Sequence, residues 1–351
     1  MKLLITGGAG YIGSHAVREL LDQGHEVTVL DNLSNGHREA VDSRATLFVG
    51  STGDLPFLLD IFQSQGIEAV MHFAANIEVG ESVADPGKYY RNNFSNTMIL
   101  LEAAKRAGLR RFVFSSTAAV YGNPRETPHD EEQEQAPINP YGRSKLMVEW
   151  ALGDLAKAHG FAIAVLRYFN VAGAHPSLRI GEDHRPESHL IPRILKGARD
   201  ENEIVKIYGT DYPTPDGTCI RDYIHVMDLV QAHALALDKL EEGRMRIYNV
   251  GSENGFSVRE VIAACEKITG KTLTLREQER RPGDPAVLVA RSEKIRRELG
   301  WKPQYPDLET IVSHAWAWHQ SHPAGYQTKK MSLEQHKIMK FLETKTCNSM
   351  T

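Results

Sequence analysis

Four times in the first 170 residues a helix-like stretch stops at a glycine and a short apolar run follows. The junctions are Gly24-His-Glu-Val, Gly66-Ile-Glu-Ala-Val, Gly108-Leu-Arg-Arg-Phe-Val-Phe and Gly160-Phe-Ala-Ile-Ala-Val-Leu. Glycine tolerates the left-handed conformation that ends a helix, and β-branched or aromatic runs favour strands, so each junction reads as helix, cap, strand. Spacings of 42, 42 and 52 residues suit βαβ crossovers, and runs apolar on both faces suit buried parallel strands. The pattern predicts an α/β fold built on a doubly wound parallel sheet. Ahead of Gly108, Phe94, Met98 and Leu101 form one helical stripe facing that sheet, as core residues without chemistry.

Past residue 170 the alternation breaks down and loop signals such as Asp211-Tyr-Pro-Thr-Pro-Asp-Gly thicken. Strand signals return at Ile204–Tyr208 and Ile247–Val250, so the chain is expected to re-enter the sheet. The predicted organisation is a dinucleotide-binding Rossmann domain over 1–170, its sheet completed by parts of 200–250. A smaller mixed α/β substrate lobe covers 171–326, followed by a tail over 327–351, where Ser332 to Gln335 could form a capping box.

The first strand runs into Gly7-Gly-Ala-Gly-Tyr-Ile-Gly13. Gly7, Gly10 and Gly13 omit the side chains that would block a tight turn, a pyrophosphate and close helix–strand packing, and the helix start offers amide donors to phosphate. The next strand, Glu26–Leu30, ends at Asp31, where a carboxylate accepts from both ribose hydroxyls and repels a 2′-phosphate. That combination favours NAD over NADP. Further on, Tyr141-Gly-Arg-Ser-Lys145 sets a phenol and an ammonium one helical turn apart. A free phenol has a pKa of about 10 and is a poor base at neutral pH. A neighbouring lysine charge and an oxidised nicotinamide would both favour the phenolate. The spacing is not specific by itself, because Tyr326 and Lys330 repeat it. Tyr141 stands out because Ser115-Ser-Thr117 ends the strand Phe112–Phe114 at the carboxyl edge of the sheet, where such folds bind ligands. A hydroxyl there, from Thr117 or a serine, can share the hydrogen bond of a substrate alcohol.

Charge and cysteine content narrow the partners. With 41 basic against 45 acidic residues and no single-sign run, nothing marks a nucleic-acid or membrane partner, and a small molecule is expected. Cys219, Cys265 and Cys347 are scattered and lack metal-ligand spacing, which reads as a reduced, cytoplasmic protein. Neither a signal peptide nor a bilayer-spanning stretch is recognisable. His72, at an apolar strand end, reads as a satisfied buried histidine. No helical or strand pairing of histidines suggests a metal, and none is expected.

Taken in order, the motifs Gly7 to Gly13, Asp31-Asn-Leu-Ser-Asn-Gly36, His72-Phe-Ala-Ala75, Val79-Gly-Glu-Ser82, Tyr89-Tyr-Arg-Asn-Asn93, Ser115 to Gly122, Tyr141 to Lys145, Arg167-Tyr-Phe-Asn-Val171, Arg221-Asp-Tyr-Ile-His-Val226 and Arg281-Pro-Gly-Asp284 identify a resemblance. Over roughly residues 1–325 the chain resembles the extended short-chain dehydrogenase/reductase family, in its branch of NAD-dependent epimerases and dehydratases. The resemblance implies inversion of the C4 hydroxyl of a UDP-hexose, interconverting UDP-glucose and UDP-galactose through a 4-keto sugar on tightly held NAD. It implies a homodimer and a catalytic set of Tyr141, Lys145 and Thr117. The implied NAD site is lined by Tyr11, Ile12, Asp31, Asn32, Asn35, Phe73, Asn92, Lys145 and Phe169, with Leu33, Gly36, Ser51, Ala74, Ala75 and Ser115 beside them. The implied UDP site takes Asn170, His189, Leu190, Tyr208, Arg221, Arg281 and Asp284, and two arginines do suit a diphosphate. Leu288 falls where relatives limit room beside the hexose C2 substituent.

The chain also departs from the family pattern. Ser51 stands where an acidic residue near adenine is usual, with Asp54 three residues on; Asn76 stands where many relatives have lysine; and Thr117 replaces a serine. A nucleotide-sugar 4,6-dehydratase would need an acid and base at Ala118 and Ala119, which cannot transfer protons. Epimerisation of UDP-N-acetylglucosamine or of a UDP-pentose stays open. A non-catalytic dinucleotide sensor would be expected to lose Tyr141 or Lys145, and both are present.

Overall fold

The computed structural model describes residues 1–123, 126–200, 202–281 and 284–326; the tail from residue 327, its capping box and Lys330 lie outside them. In chain order the strands are β1 (Lys2–Thr6), β2 (Glu26–Asp31), β3 (Thr46–Val49), β4 (Ala69–His72), β5 (Arg111–Thr117), β6 (Ala162–Tyr168), β7 (Asn170–Ala172), β8 (Val205–Tyr208), β9 (Ile220–His225), β10 (Met245–Val250), β11 (Gly255–Ser257), β12 (Leu275–Gln278) and β13 (Val287–Leu288). Seven of them form one parallel sheet in the order β10-β6-β5-β4-β1-β2-β3. The strand order reverses between β1 and β4, and ligands of doubly wound sheets bind in the crevice outside such a switch point.

The expected junction glycines all take positive φ: 84° at Gly24, 61° at Gly66, 76° at Gly108 and 70° at Gly160. The strands behind them are buried on both faces because helices cover both. Helices Tyr11–Asp22 and Val226–Asp238 pack Ala16, Val17, Leu229 and Val230 on one side. Helices Leu55–Gln65, Asn96–Arg106 and Pro140–His159 pack Leu58, Leu101, Val148 and Leu152 on the other. Phe94 and Met98 lie against that second core, as their stripe predicts, although residues Tyr90–Ser95 form a π-helical turn.

Beyond β6 the chain builds a smaller unit. β9 pairs with β7, β11 and β13, and β8 pairs with β12. Helices Leu190–Arg199, Val258–Thr269 and Leu308–Ser321 enclose a core that includes Ile191, Ile194, Val261, Ile311 and Val312. Of the two predicted late strands, β10 joins the main sheet beside β6, and β8 stays in the smaller unit. Asp222, fully buried on β9, binds the two units: it accepts from the amides of Ser252 (2.7 Å), Glu253 (3.0 Å) and Ala290 (3.1 Å). Burial pushes its pKa up to about 6, against those hydrogen bonds.

Candidate active site

The glycine-rich turn connects β1 to the helix Tyr11–Asp22, whose N-cap Gly10 provides no side-chain cap. That helix end, with its partial positive charge, is therefore open to an anion. A Cβ on Gly13 would lie 2.1 Å from the Gly7 carbonyl oxygen, and one on Gly7 would lie 2.6 Å from the Ala74 amide nitrogen, so both positions demand glycine. A Cβ on Gly10 would meet only the Gly7 carbonyl, at 3.3 Å, which leaves its outer side clear for a diphosphate. At the end of β2, Asp31 accepts from Ala9 N (3.0 Å) and Leu33 N (2.8 Å). Each carboxylate oxygen keeps a second lone pair for a ribose hydroxyl. The turn, the uncapped helix and Asp31 fit a dinucleotide without a 2′-phosphate.

The remaining residues expected at this site are spread over neighbouring strand ends. Leu33 has a positive φ of 58°, while Asn32 accepts from the Ser34 amide at 3.0 Å in the turn leading to Asn35 and Gly36. Phe73, Ala74 and Ala75 leave β4, and the Phe73 ring rests 4.9 Å from that of His233. Ser51 is exposed and accepts from the Gly53 amide, and Asp54 caps the helix Leu55–Gln65, so the local hydrogen bonds of both serve the backbone. Asn92 lies on the π-helical turn. Its neighbour Asn93 ties the Asn76 backbone (2.8 and 2.9 Å) to the Ser144 hydroxyl (3.1 Å), a positioning role that sequence reasoning missed. His72 is satisfied, as expected, by Thr6 and Thr97 at 2.6 and 2.8 Å.

Tyr141 and Lys145 occupy the first turns of the helix Pro140–His159, started by Asn139, whose side chain accepts from the Gly142 amide at 2.8 Å. Tyr141 is 8% exposed, and the Thr117 hydroxyl at the end of β5 lies close enough to act on its phenol. Burial, aided by the Glu78 carboxylate, pushes its pKa up to about 12 against the effect of that hydroxyl. Lys145 donates to the Ser115 carbonyl at 2.9 Å and lies over the Phe114 ring at 4.9 Å. Burial lowers its pKa to about 7, opposed by the Glu149 carboxylate. With the protein groups alone, burial therefore favours the neutral phenol. The Ser115 hydroxyl is 2.9 Å from His233 Nε2, so this residue meets the lysine through its backbone. Thr117 also accepts from Ala119 N at 3.1 Å, and Ala118 and Ala119 carry no acid or base.

Behind this pair stands an ion pair that the sequence reading did not single out. Glu149 and Arg167 are each 2% exposed in their side chains and 2.6 Å apart, and Ser116 donates to Glu149 at 2.5 Å. The available signal was spacing, since Tyr141, Lys145 and Glu149 are successive i, i+4 neighbours on one helix.

The residues expected to hold UDP fall in the smaller unit. The Arg281 guanidinium lies over the Tyr208 ring at 5.0 Å and donates to Asp284 at 3.0 Å, and Arg221 reaches Asp284 at 4.0 Å. Asn170 donates to the Asp222 carbonyl at 3.2 Å. Leu288 pairs with Arg221 across β13 and β9 and packs against the cluster containing Phe169 and Leu146. His189 stands at the N-cap position of the helix that starts at Leu190 without a side-chain cap, and its Nδ1 sits 2.7 Å from Glu182 Oε1. Around it, Glu182, His184 and Glu187 converge. The expectation of no metal considered helix and strand spacings, which a loop grouping escapes.

The parallel sheet, its glycine-rich turn and the buried Tyr/Lys pair at the carboxyl edge define a dinucleotide-dependent enzyme of the short-chain type. The family model for NAD dependent epimerase/dehydratase proteins matches residues 3–251, and the chain belongs to that family. Among curated proteins it is similar to UDP-glucose 4-epimerase of Halalkalibacterium halodurans, with 51% identity over 94% of this chain and 98% of that protein. The corresponding protein of Lacticaseibacillus casei is 49% identical over 93% and 99%. Among solved structures, UDP-glucose 4-epimerase from Bifidobacterium longum in complex with NAD+ and UDP superposes with a TM-score of 0.89, at 38% identity, covering 93% of this chain and all of that one.

Proposed function

We propose that the protein is an NAD-dependent UDP-glucose 4-epimerase, interconverting UDP-glucose and UDP-galactose. The observation that carries this reading is the buried Tyr141 phenol beside Thr117 with Lys145 one turn on, above a turn shaped for a dinucleotide. NAD, when bound, supplies a hydride acceptor at C4 of the sugar and then a hydride donor to it, and its positive ring favours the phenolate. Tyr141 takes the proton from O4 as the hydrogen on C4 departs as hydride, and Thr117 shares the hydrogen bond. The sugar becomes a 4-ketone. After the ring turns over, Tyr141 returns the proton to O4 on the inverted centre, so nothing is consumed. Lys145 holds the ribose side of the cofactor and adds charge beside the phenol.

Arg221 and Arg281 grip the diphosphate, with Tyr208, Asn170, Asp284, His189 and Leu190 around the nucleotide, while the hexose is held loosely enough to rotate. Leu288 faces the C2 substituent. The domain division is a dinucleotide-binding unit over 1–170, completed by β10, and a UDP-sugar unit over 171–326.

The enzyme acts in galactose metabolism in the cytoplasm as a homodimer. Trp150, 62% exposed, lines an apolar groove with Tyr90, Pro137, Leu146 and Met147, which supports association through the helix Pro140–His159. Among the described residues no helix is long and apolar enough to cross a membrane.

The test is a panel of UDP-glucose, UDP-galactose, their N-acetyl forms and UDP-xylose with purified protein. Fastest turnover is expected on the UDP-glucose/UDP-galactose pair, with dependence on bound NAD. No interconversion of that pair, or activity indifferent to removal of NAD, overturns the reading.

A further inference from the structure

The segment between β7 and the helix Leu190–Arg199 gathers two carboxylates and two imidazoles at one point. One ligand atom from each of Glu182, His184, Glu187 and His189 lies within 4.8 Å of all the others. The edges measured are 3.3 Å from His184 Nδ1 to Glu182 Oε1, 3.5 Å from His184 Nδ1 to Glu187 Oε2, 3.5 Å from His189 Nδ1 to Glu187 Oε1 and 2.7 Å from His189 Nδ1 to Glu182 Oε1. A tetrahedral ion with bonds of about 2.0–2.1 Å to nitrogen and 2.0–2.2 Å to oxygen needs ligand atoms about 3.3–3.5 Å apart. Taking Oε2 of Glu187 as its ligand atom, the two contacts of His184 Nδ1, with Glu182 Oε1 and Glu187 Oε2, already meet that spacing, and the 2.7 Å contact from His189 to Glu182 would lengthen on closing around an ion.

A second observation points the same way. Glu182 Oε1, His184 Nδ1 and His189 Nδ1 are buried and have no hydrogen-bond partner of acceptable geometry, although they lie close to one another. Buried polar atoms are ordinarily paired, and three aimed at a common point without mutual hydrogen bonds describe a coordination sphere better than a hydrogen-bonded cluster. Glu182 is 4% exposed, while the His189 side chain is 42% exposed and leaves an entry path. Glu187 is oriented from outside the sphere, its Oε1 accepting from the Ser188 and His189 amides at 2.9 and 2.8 Å. Two carboxylates also balance a divalent charge.

We propose that Glu182, His184, Glu187 and His189 form a structural binding site for a divalent first-row transition metal of the zinc type. Two imidazoles select against Mg2+ and Ca2+, which take oxygen ligands. With all four positions filled by protein, the ion is closed to substrate and acts as a clamp. The clamped loop reaches other segments: the Asp183 carbonyl accepts from His37 at 3.0 Å, and its carboxylate accepts from the Tyr326 amide at 2.9 Å. The ion thus fastens the smaller unit beside the glycine-rich turn, whose Tyr11 ring lies 6.4 Å from that of His184. It is independent of hydride transfer, and it uses Nδ1 of His189, leaving Nε2 to other partners.

The experiment strips the full-length enzyme with a chelator, dialyses it and titrates it with Co2+, then with Zn2+. The expected result is one Co2+ per chain with intense visible absorption of tetrahedral Co2+, displaced by Zn2+ and not by Mg2+, and a rise in Tm on binding. His184→Ala and Glu187→Gln, checked for native circular dichroism and bound NAD, are expected to weaken Co2+ by about 100-fold or more, beyond what changes outside a coordination sphere bring. A Glu182→Gln variant that fails to fold leaves those two to decide. Absence of saturable binding, displacement by Mg2+, or equal binding by His184→Ala and wild type overturns the proposal. Loss of metal with epimerase activity intact leaves the proposed function standing, so the two readings fail separately.

Discussion

Replacing Glu149 by glutamine keeps the shape of the side chain but leaves the Arg167 guanidinium buried without a counter-charge. In the native structure Arg167 Nη2 is 2.6 Å from Glu149 Oε2 and its Nε is 3.1–3.2 Å from both carboxylate oxygens, with each side chain 2% exposed. Breaking one partner of such a buried pair costs about 3–5 kcal/mol, because the remaining ion keeps its desolvation penalty and loses the attraction that offset it. The amide must also place its NH2 against either the guanidinium or the Ser116 hydroxyl, both of which donate to the native carboxylate. Urea unfolding of both proteins at one saturating NAD concentration measures the loss, and adding Arg167→Met to Glu149→Leu should recover most of it, since apolar replacement of both ions is often neutral or better. The same carboxylate holds the Lys145 pKa up, so Glu149→Gln should also drive Lys145 below its value of about 7. A loss under about 1 kcal/mol, or a double replacement no more stable than the single one, would refute the reasoning.

Three further outcomes follow from the site. Lys145 has a folded pKa lowered from 10.5 to about 7, so at or below pH 7 the native state bears the full cost of a buried charge. Between pH 7 and 10.5 the unfolded chain holds the proton that the native chain has released, and stability rises with pH by at most about 1.4 kcal/mol per unit. In NAD-free buffer the stability difference between Lys145→Met and wild type should therefore shrink from pH 7 to 10; a constant difference contradicts the assignment. Gly13→Ala would place a Cβ 2.1 Å from the Gly7 carbonyl oxygen, and the purified variant should carry little or no NAD by absorbance after denaturation. Leu288→Tyr should lower the ratio of N-acetylated to plain UDP-hexose turnover, and an unchanged ratio removes Leu288 from the role of gate.

The main sheet was legible because buried parallel strands are apolar on both faces and their helices end at glycines that must take positive φ, as Gly66 and Gly160 do. The cofactor turn and the Tyr/Lys pair were legible for a related reason: each lies within a few residues of sequence. The smaller unit was not. β12 reads Leu-Arg-Glu-Gln with every residue exposed and exists by pairing with β8, while β13 has two residues held against β9. Glu149 could have been found by its spacing from Lys145, but its partner Arg167 is supplied by β6 through tertiary packing alone. The grouping of Glu182 with His189 depends on loop geometry that no periodicity encodes. The lowering of the Tyr141 pKa was expected from Lys145 together with an oxidised nicotinamide ring; in the protein groups alone burial acts against charge on both residues.

Everything proposed about the chemistry depends on the Tyr141 phenolate oxygen serving as the proton acceptor beside Thr117. The most direct measurement is the rate of UDP-galactose conversion to UDP-glucose by Tyr141→Phe, with NAD content and UDP affinity determined on the same preparation. Removing a general acid/base should lower kcat by about 10²–10⁴-fold while both binding measurements stay within about twofold of wild type. Turnover at the wild-type rate with cofactor and UDP still bound would contradict the account.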